Sequence, residues 1–241
     1  MPNISWIEIA SNLLGTKAII PLTENKLLIF SSSELYILTD QGKYEKVNSD
    51  WSKKIIAATK LENFVYATDE SGILWKFDLS SYVYTQIGSG EKRNSDYRYY
   101  TNTKALVTCD GFILAFCDYL WKIYPDGNSE KVGTDWGDTC AAVVFGDSVF
   151  AVTTYGKLYR VSLDDYSYDE VSVGWDNTRA ILLFRNSLLI FMDKLFRLGS
   201  RGKWEKLSDD TWEGVVASCA TDEALYVVDN AGKVYRIQLL N

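Results

Sequence analysis

The apolar residues along the chain recur in a block that appears six times. In one copy Trp175 opens a polar loop, an apolar run follows, and a second apolar run begins thirteen positions later at Leu188. The same spacing of thirteen joins the remaining pairs: Trp51 to Phe64, Trp136 to Val149, Trp212 to Leu225, Tyr100 to Ile113 and Leu14 to Leu27. Self-similarity at a fixed offset is the sequence signature of a repeat architecture.

Each block predicts four short strands. The first two are nearly continuous apolar runs, as in residues 180–184 and 188–191, which is typical of strands buried on both faces. The third places an aliphatic residue, an aromatic residue and usually a cation in order, as in residues 158–160, and so has one buried face. The fourth, as in residues 204–207, mixes charged and apolar residues and suits an outer edge strand.

The two ends of the chain indicate how the blocks assemble. The chain begins on a strand of the fourth kind, residues 6–9, and stops after one of the third kind, residues 234–239. The spare first strand therefore completes the last block. We predict an all-β, six-bladed β-propeller with four antiparallel strands per blade, a single domain over residues 1–241, its N-terminal strand closing the last blade. An open solenoid would instead need capping units with polar outer faces.

Composition restricts the function. The 241 residues are 47% hydrophobic and carry a net charge of −7, which argues against broad binding to nucleic acid or to an anionic membrane. The chain has no histidine, so the commonest general base and every Ser-His or Cys-His nucleophile arrangement are missing. Acidic pieces such as Asp164-Asp165 lack the spacing of a calcium loop. We therefore expect no enzyme, no metal site and no cofactor.

Other features point to a protein that is not inserted in a membrane. No basic leader precedes an apolar run, so we expect a cytoplasmic protein or one released without a signal peptide. The four cysteines, Cys109, Cys117, Cys140 and Cys219, form no CxxC pair, and we interpret them as small buried apolar residues. The polar stretch over residues 88–99 reads as an insertion in a surface loop.

The aromatic residues that open the blocks are the candidate ligand-binding residues. A flat ring beside carboxylates and amides suits a pyranose, which has an apolar C–H face and a rim of hydroxyls, and several weak sites on one body raise avidity. The candidate site residues are Trp51, Tyr100, Trp136, Trp175, Trp212, Asp50, Asp135, Asp176, Asn177 and Asp210. The rival interpretation is that these rings wedge neighbouring sheets together, because large aromatics bury much area per residue.

Some motifs resemble a known class of propeller. Gly133-Thr134-Asp135-Trp136, Lys157-Leu158-Tyr159-Arg160 and the edge running into Trp175 are similar to the repeats of tectonin-type and tachylectin-2-type lectins. The resemblance implies a lectin that binds glycans or glycoconjugates between blades, with the loop aromatics near the sugar. The chain departs from tachylectin-2-type repeats in lacking Gly-Gly-Trp, and from tectonins in lacking Val-Trp-Gly-Val. Our second hypothesis is a non-enzymatic scaffold with a protein partner at the propeller face or at the 88–99 loop.

Overall fold

A computed structural model describes residues 3–32, 34–47, 51–88, 100, 102–198 and 203–240. Across these residues the regular structure consists of 24 strands, arranged in six four-stranded sheets with antiparallel neighbours. The predicted all-β, six-bladed propeller is confirmed. The insertion beyond Gly88 lies outside the described residues, as does the candidate residue Asp50.

The six blades follow the chain, each starting with its innermost strand. Blade 1 contains β2 (Thr16–Thr23), β3 (Lys26–Ser31), β4 (Glu34–Thr39) and β5 (Tyr44–Lys46); blade 2 contains β6 (Ile55–Leu61), β7 (Phe64–Asp69), β8 (Leu74–Asp78) and β9 (Tyr84–Gly88). Blade 3 contains β10 (Ala105–Thr108), β11 (Ile113–Phe116), β12 (Tyr119–Ile123) and β13 (Ser129–Thr134); blade 4 contains β14 (Thr139–Phe145), β15 (Ser148–Thr153), β16 (Lys157–Ser162) and β17 (Tyr168–Val173). Blade 5 contains β18 (Ala180–Phe184), β19 (Ser187–Phe191), β20 (Leu195–Leu198) and β21 (Trp204–Lys206); blade 6 contains β22 (Val215–Ala220), β23 (Leu225–Asp229), β24 (Val234–Leu240) and the N-terminal β1 (Asn3–Ala10).

The ring closes through the two ends of the chain. Strand β1 pairs antiparallel with β24, from Asn3 opposite Leu240 to Ala10 opposite Val234. The inner strands of the first and last blades, β2 and β22, are also in contact. The predicted closure by the N-terminal strand is therefore confirmed, and the outermost strand of the sixth sheet comes from the other end of the sequence.

The hydrophobic core lies between the blades. Ile20 and Phe30 of blade 1, for example, form one buried cluster with Val65 and Phe77 of blade 2. Because both faces of every blade meet a neighbouring blade, the inner two strands must be apolar on both sides, which explains their continuous apolar runs. The free edges of the six inner strands then face a central channel.

The blades alternate between two types. In blades 1, 3 and 5 a phenylalanine of the second strand pairs with an alanine near the start of the first strand. The tryptophan that opens the next blade packs against this phenylalanine. The three ring pairs are Phe30–Trp51 at 5.6 Å, Phe116–Trp136 at 5.3 Å and Phe191–Trp212 at 5.7 Å between centroids. Residues Thr68, Val152 and Val228 take that pairing position in blades 2, 4 and 6. The architecture is thus a pair of blades repeated three times.

One predicted equivalence is wrong by a residue. Leu13, not Leu14, occupies the position of the loop aromatics in blade 1. The Leu13 amide donates to the Gly232 carbonyl as the Trp175 amide donates to that of Gly156, both at 3.0 Å. Leu13 is 1% exposed whereas Leu14 is 62% exposed. A β-bulge between Pro21 and Thr23 adds the residue that shifts the spacing.

Candidate functional site

The five loop aromatics are buried at the junctions between blades. Trp51, Tyr100, Trp136, Trp175 and Trp212 are only 2 to 6% exposed. Trp136 shows the arrangement, with its ring nearly perpendicular to those of Phe116 in blade 3 and of Tyr159 and Tyr168 in blade 4, at 5.3 to 5.9 Å. Edge-to-face packing of this kind uses both ring faces and the edge. It supports the wedge interpretation, since a sugar ring finds no open face to stack on.

The polar candidates are exposed but scattered. Asp135, Asp176, Asn177 and Asp210 all reach solvent, at three different junctions. Asp135 and Asn177 have φ angles of 68° and 64°, so both lie in the left-handed region that Asp and Asn tolerate better than most residues. Loop geometry therefore accounts for an Asp and an Asn at these two positions. Their role as ligand contacts stays a prediction.

Two of the predicted residues do meet in one cavity. Asp210 and Trp212 lie on a cavity of about 190 Å³ at the junction of blades 5 and 6. The opposite wall comes from Trp6 in β1 and from Tyr235 and Asp229 in blade 6. Trp6 is 45% exposed, and its ring stands edge-on to Trp212 at 6.3 Å and to Tyr235 at 5.5 Å. We call these five residues the blade 5–6 pocket.

Trp212, one of the residues that line this pocket, has an unsatisfied hydrogen-bond donor within the described part of the chain, as Trp51 also has at the junction of blades 1 and 2. The indole Nε1 of Trp212 is buried and has no acceptor among the described residues. A buried polar group without a partner costs about 1–3 kcal/mol, so a bound hydroxyl or water that accepts this hydrogen would recover that cost. Tyr235 already donates its phenolic hydrogen to Asp229 Oδ2 at 3.2 Å. Burial, and then the Asp229 carboxylate, raises the pKa of Tyr235, which keeps the phenol protonated.

The two carboxylates of the pocket are held in different ways. Asp229 Oδ1 accepts hydrogen bonds from the amides of Ala231 and Lys233, both at 2.9 Å, and is fixed by its own turn. Asp210 Oδ2 accepts from the Ser208 hydroxyl at 2.6 Å. The exposed Asp210 is therefore the carboxylate with an oxygen to offer a ligand.

Three other junctions contain the equivalent pair of rings, one from the loop and one from the fourth strand. The loop tryptophan lies 4.9 Å from this ring in Trp51–Tyr84, 5.3 Å in Trp136–Tyr168 and 4.3 Å in Trp175–Trp204. In Trp212–Trp6 the separation is 6.3 Å. Trp175 also donates its indole hydrogen to Ser172 at 2.8 Å. Of these four ring separations, the one at the junction of blades 5 and 6 is the largest.

Sequence reasoning missed Trp6, Tyr235 and Asp229 as pocket residues. From the sequence, Trp6 is placed only within the closing strand and Tyr235 only within the last strand. A signal was present, because an aromatic residue opens the fourth strand in most blades, as Tyr44, Tyr84, Tyr168 and Trp204 show. What the signal lacked was the distance between rings, which the blade geometry sets.

Other kinds of site find little support among the described residues. In that part of the chain, no three Cys, Asp or Glu side chains are grouped so that they could hold a metal ion. Burial raises the pKa of Cys117 and of Cys140 to about 11 and that of Cys109 to about 12, so these thiols stay protonated at neutral pH. None of the described residues belongs to a helix long and apolar enough to cross a membrane.

Comparison with known proteins identifies the architecture but no family. No family model matches the chain, and no curated protein matches it. Virginiamycin B lyase from Staphylococcus aureus has a similar structure, with a TM-score of 0.72, 10% sequence identity and 99% of each chain covered. A catalytically inactive histidine-to-alanine variant of that enzyme, crystallised with quinupristin, matches at a TM-score of 0.71 and 11% identity over 99% of each chain.

A third similar structure is a protein of unknown function from Bacteroides thetaiotaomicron. Its TM-score is 0.71 at 11% identity, covering 99% of this chain and 76% of that one. Identities this low show a shared fold and nothing about activity. The resemblance to tectonin-type and tachylectin-2-type repeats remains a prediction. The chain is a six-bladed β-propeller similar in fold to virginiamycin B lyase.

Proposed function

We propose that this chain is a non-enzymatic carbohydrate-binding propeller with one open site, the blade 5–6 pocket. The observation that carries the proposal is the buried Trp212 indole hydrogen without an acceptor, next to the half-exposed ring of Trp6. A site of this kind offers an apolar plane and a directed donor. This is narrower than a lectin with repeated sites, because the other loop aromatics are packed between blades.

The pocket chemistry matches a pyranose ring. The exposed Trp6 ring provides an apolar surface for the C–H face of the sugar. A sugar hydroxyl oxygen accepts the Trp212 Nε1 hydrogen, and a second hydroxyl donates to Asp210. The cavity of about 190 Å³ is smaller than the roughly 300–1,000 Å³ of pockets for drug-sized ligands, so a single sugar ring is the expected occupant.

The lack of histidine supports a binding role over a lyase role. The similar S. aureus enzyme is described as catalytically inactive when one histidine is replaced by alanine. This chain has no histidine at any position. In our proposal the similarity to that lyase therefore reflects the scaffold alone.

A glycan array followed by titration of tryptophan fluorescence tests the proposal. The wild type binds at least one mono- or disaccharide, Trp6→Ala and Asp210→Asn weaken that binding at least tenfold, and Tyr168→Ala leaves it unchanged. Tyr168 is a matched control because it opens the fourth strand of blade 4 at a closed junction and is 54% exposed. Absence of binding to every glycan, or wild-type binding by Trp6→Ala, would reject the proposal in favour of a protein-interaction scaffold.

A further inference from the structure

A central channel of about 480 Å³ runs between the six inner strands. Strands β2, β6, β10, β14, β18 and β22 contact one another in order around it. All six run in the same direction from the loop that opens each blade. The channel consequently has a first mouth, where the strands begin, and a second mouth, where their hairpin turns lie.

A small residue recurs near the first mouth. In every blade an alanine near the start of the inner strand pairs with the end of the second strand. These alanines are Ala18, Ala57, Ala105, Ala141, Ala180 and Ala217. The residue immediately before each alanine has no partner in the pairing with the second strand. In blades 1, 2, 4 and 6 it forms a β-bulge. Its side chain is thus free to point away from the ladder.

The residues that precede the alanines alternate between cationic and uncharged side chains around the ring. Blades 1, 3 and 5 supply the cations Lys17, Lys104 and Arg179, and all three line the channel. Blades 2, 4 and 6 supply Ile56, Cys140 and Val216. The alternation follows the two-blade repeat, so three cations surround the mouth with approximate threefold symmetry.

The three cations have no counter-charge within the described residues. Lys17, Lys104 and Arg179 are exposed, and no described carboxylate oxygen lies within 4.0 Å of their nitrogens. Some cations elsewhere on the protein are paired, as Lys46 is with Glu34 at 2.8 Å, but these three are grouped on one channel without a carboxylate partner among the described residues. Like charges gathered at one opening raise the local potential and attract anions.

The hairpin turns at the second mouth carry mostly acidic residues, whereas Lys60 lines the channel itself at this end. Each inner strand ends in a two-residue hairpin turn, and five of the six turns carry an acidic residue. The acidic residues are Glu24, Glu62, Asp110, Asp147, Asp222 and Glu223. The sixth turn carries Arg185, whose Nε donates to the carbonyl of Asp222 at 3.5 Å.

We propose that the first mouth of the channel binds a small polyanion, with phosphate or carboxylate groups held by Lys17, Lys104 and Arg179. Three-sided cationic contact favours a ligand with several negative groups over a single monovalent ion. The channel volume is within the range of ordinary ligand pockets, roughly 300–1,000 Å³. This site is separate from the blade 5–6 pocket, so each can fail independently.

Calorimetric titration with tripolyphosphate and with citrate tests this inference on the full chain. The wild type binds at least one probe with saturation at low salt, and raising the salt from about 0.01 to 0.15 M weakens binding at least threefold as the screening length shortens. The combined variant Lys17→Gln, Lys104→Gln, Arg179→Gln weakens binding at least tenfold. The two probes separate phosphate from carboxylate preference.

A second triple variant controls for net charge. Lys46→Gln, Lys131→Gln, Lys206→Gln removes the same number of cations from the same three blades, but on their outermost strands or next to them. It should bind within twofold of the wild type, as should Trp6→Ala. Circular dichroism verifies that each variant is folded. No saturable binding by the wild type, or equal weakening by both triple variants, would overturn the inference.

Discussion

The rings of Trp6 and Tyr235 lie edge-on, with centroids 5.5 Å apart and planes at 85°. One residue belongs to the first strand of the chain and the other to the last. The backbone pairs them through neighbouring positions, Trp6 opposite Ile237 and Glu8 opposite Tyr235. The same contact that closes the ring also forms a wall of the blade 5–6 pocket, so closure and site formation are one event.

Closure predicts that the two faces of β1 differ in their tolerance to charge. Ile4 packs against the core cluster between blades 5 and 6, whereas Ile7 is 56% exposed. Ile4→Asp should lower the free energy of unfolding by about 1–3 kcal/mol, because it places an unpaired carboxyl against that core. Ile7→Asp should change it by less than about 0.5 kcal/mol. Urea unfolding measures both, and equal effects would contradict the closure.

The wedge role of the loop tryptophans predicts a large loss of stability at Trp136. Replacing this ring with alanine should lower the free energy of unfolding by about 3–5 kcal/mol, because it empties the contacts with Phe116, Tyr159 and Tyr168. Tyr155→Ala, at a side chain 71% exposed, should cost less than about 0.5 kcal/mol. Trp136→Phe supplies an intermediate value should the alanine variant fail to fold. A loss below 1 kcal/mol for Trp136→Ala would show that the ring is not a wedge.

Two glycines with similar backbone angles should respond differently to alanine. Gly156 has a φ of +72°, and an added Cβ would lie 2.7 Å from the Asp176 amide nitrogen. Gly146 has a φ of +65° but nothing within 4 Å of such a Cβ. Gly146→Ala should cost about 1–2 kcal/mol from backbone strain alone. Gly156→Ala should cost more, since the loop that opens blade 5 must also move. Similar unfolding midpoints for the two variants would refute this.

The buried cysteines predict a loss of stability at high pH. Burial raises the pKa of Cys117 and Cys140 to about 11 in the folded protein, above the 9.0 of an ordinary thiol. The unfolded chain therefore loses its thiol protons first, and the free energy of unfolding falls as the pH rises from about 9 towards 11. Cys117→Ala, Cys140→Ala should flatten this slope.

Alkylation gives an independent measure of the same burial. Iodoacetamide at pH 8 should modify Cys117 and Cys140 at least tenfold more slowly in the native protein than in urea, because thiolates are the reactive form. Equal rates under the two conditions would show that the thiols are accessible. The four cysteines are all free, so no reduction step is needed.

The sequence alone determined the strand pattern, the number of blades and the closure. Each depends on local information, namely apolar runs, a recurring spacing and the kind of strand at each end of the chain. The same reasoning placed Leu14 one residue away from its structural equivalent, because a bulge at Pro21 changes the spacing without changing the apolar pattern. It also did not single out Lys17, Lys104 and Arg179, which share one mouth of the channel.

Tertiary structure decided which aromatic rings are open and which charges meet. Trp136 and Trp6 are both tryptophans beside polar residues, yet one is 4% exposed and the other 45%. The difference arises because Trp136 lies in the loop between two blades, whereas Trp6 lies on the outermost strand of blade 6. Which positions become enclosed depends on the packing of all six blades at once. The pattern of residue types along the chain indicates where strands, turns and repeats occur. It does not indicate locally which side chains the neighbouring blades enclose.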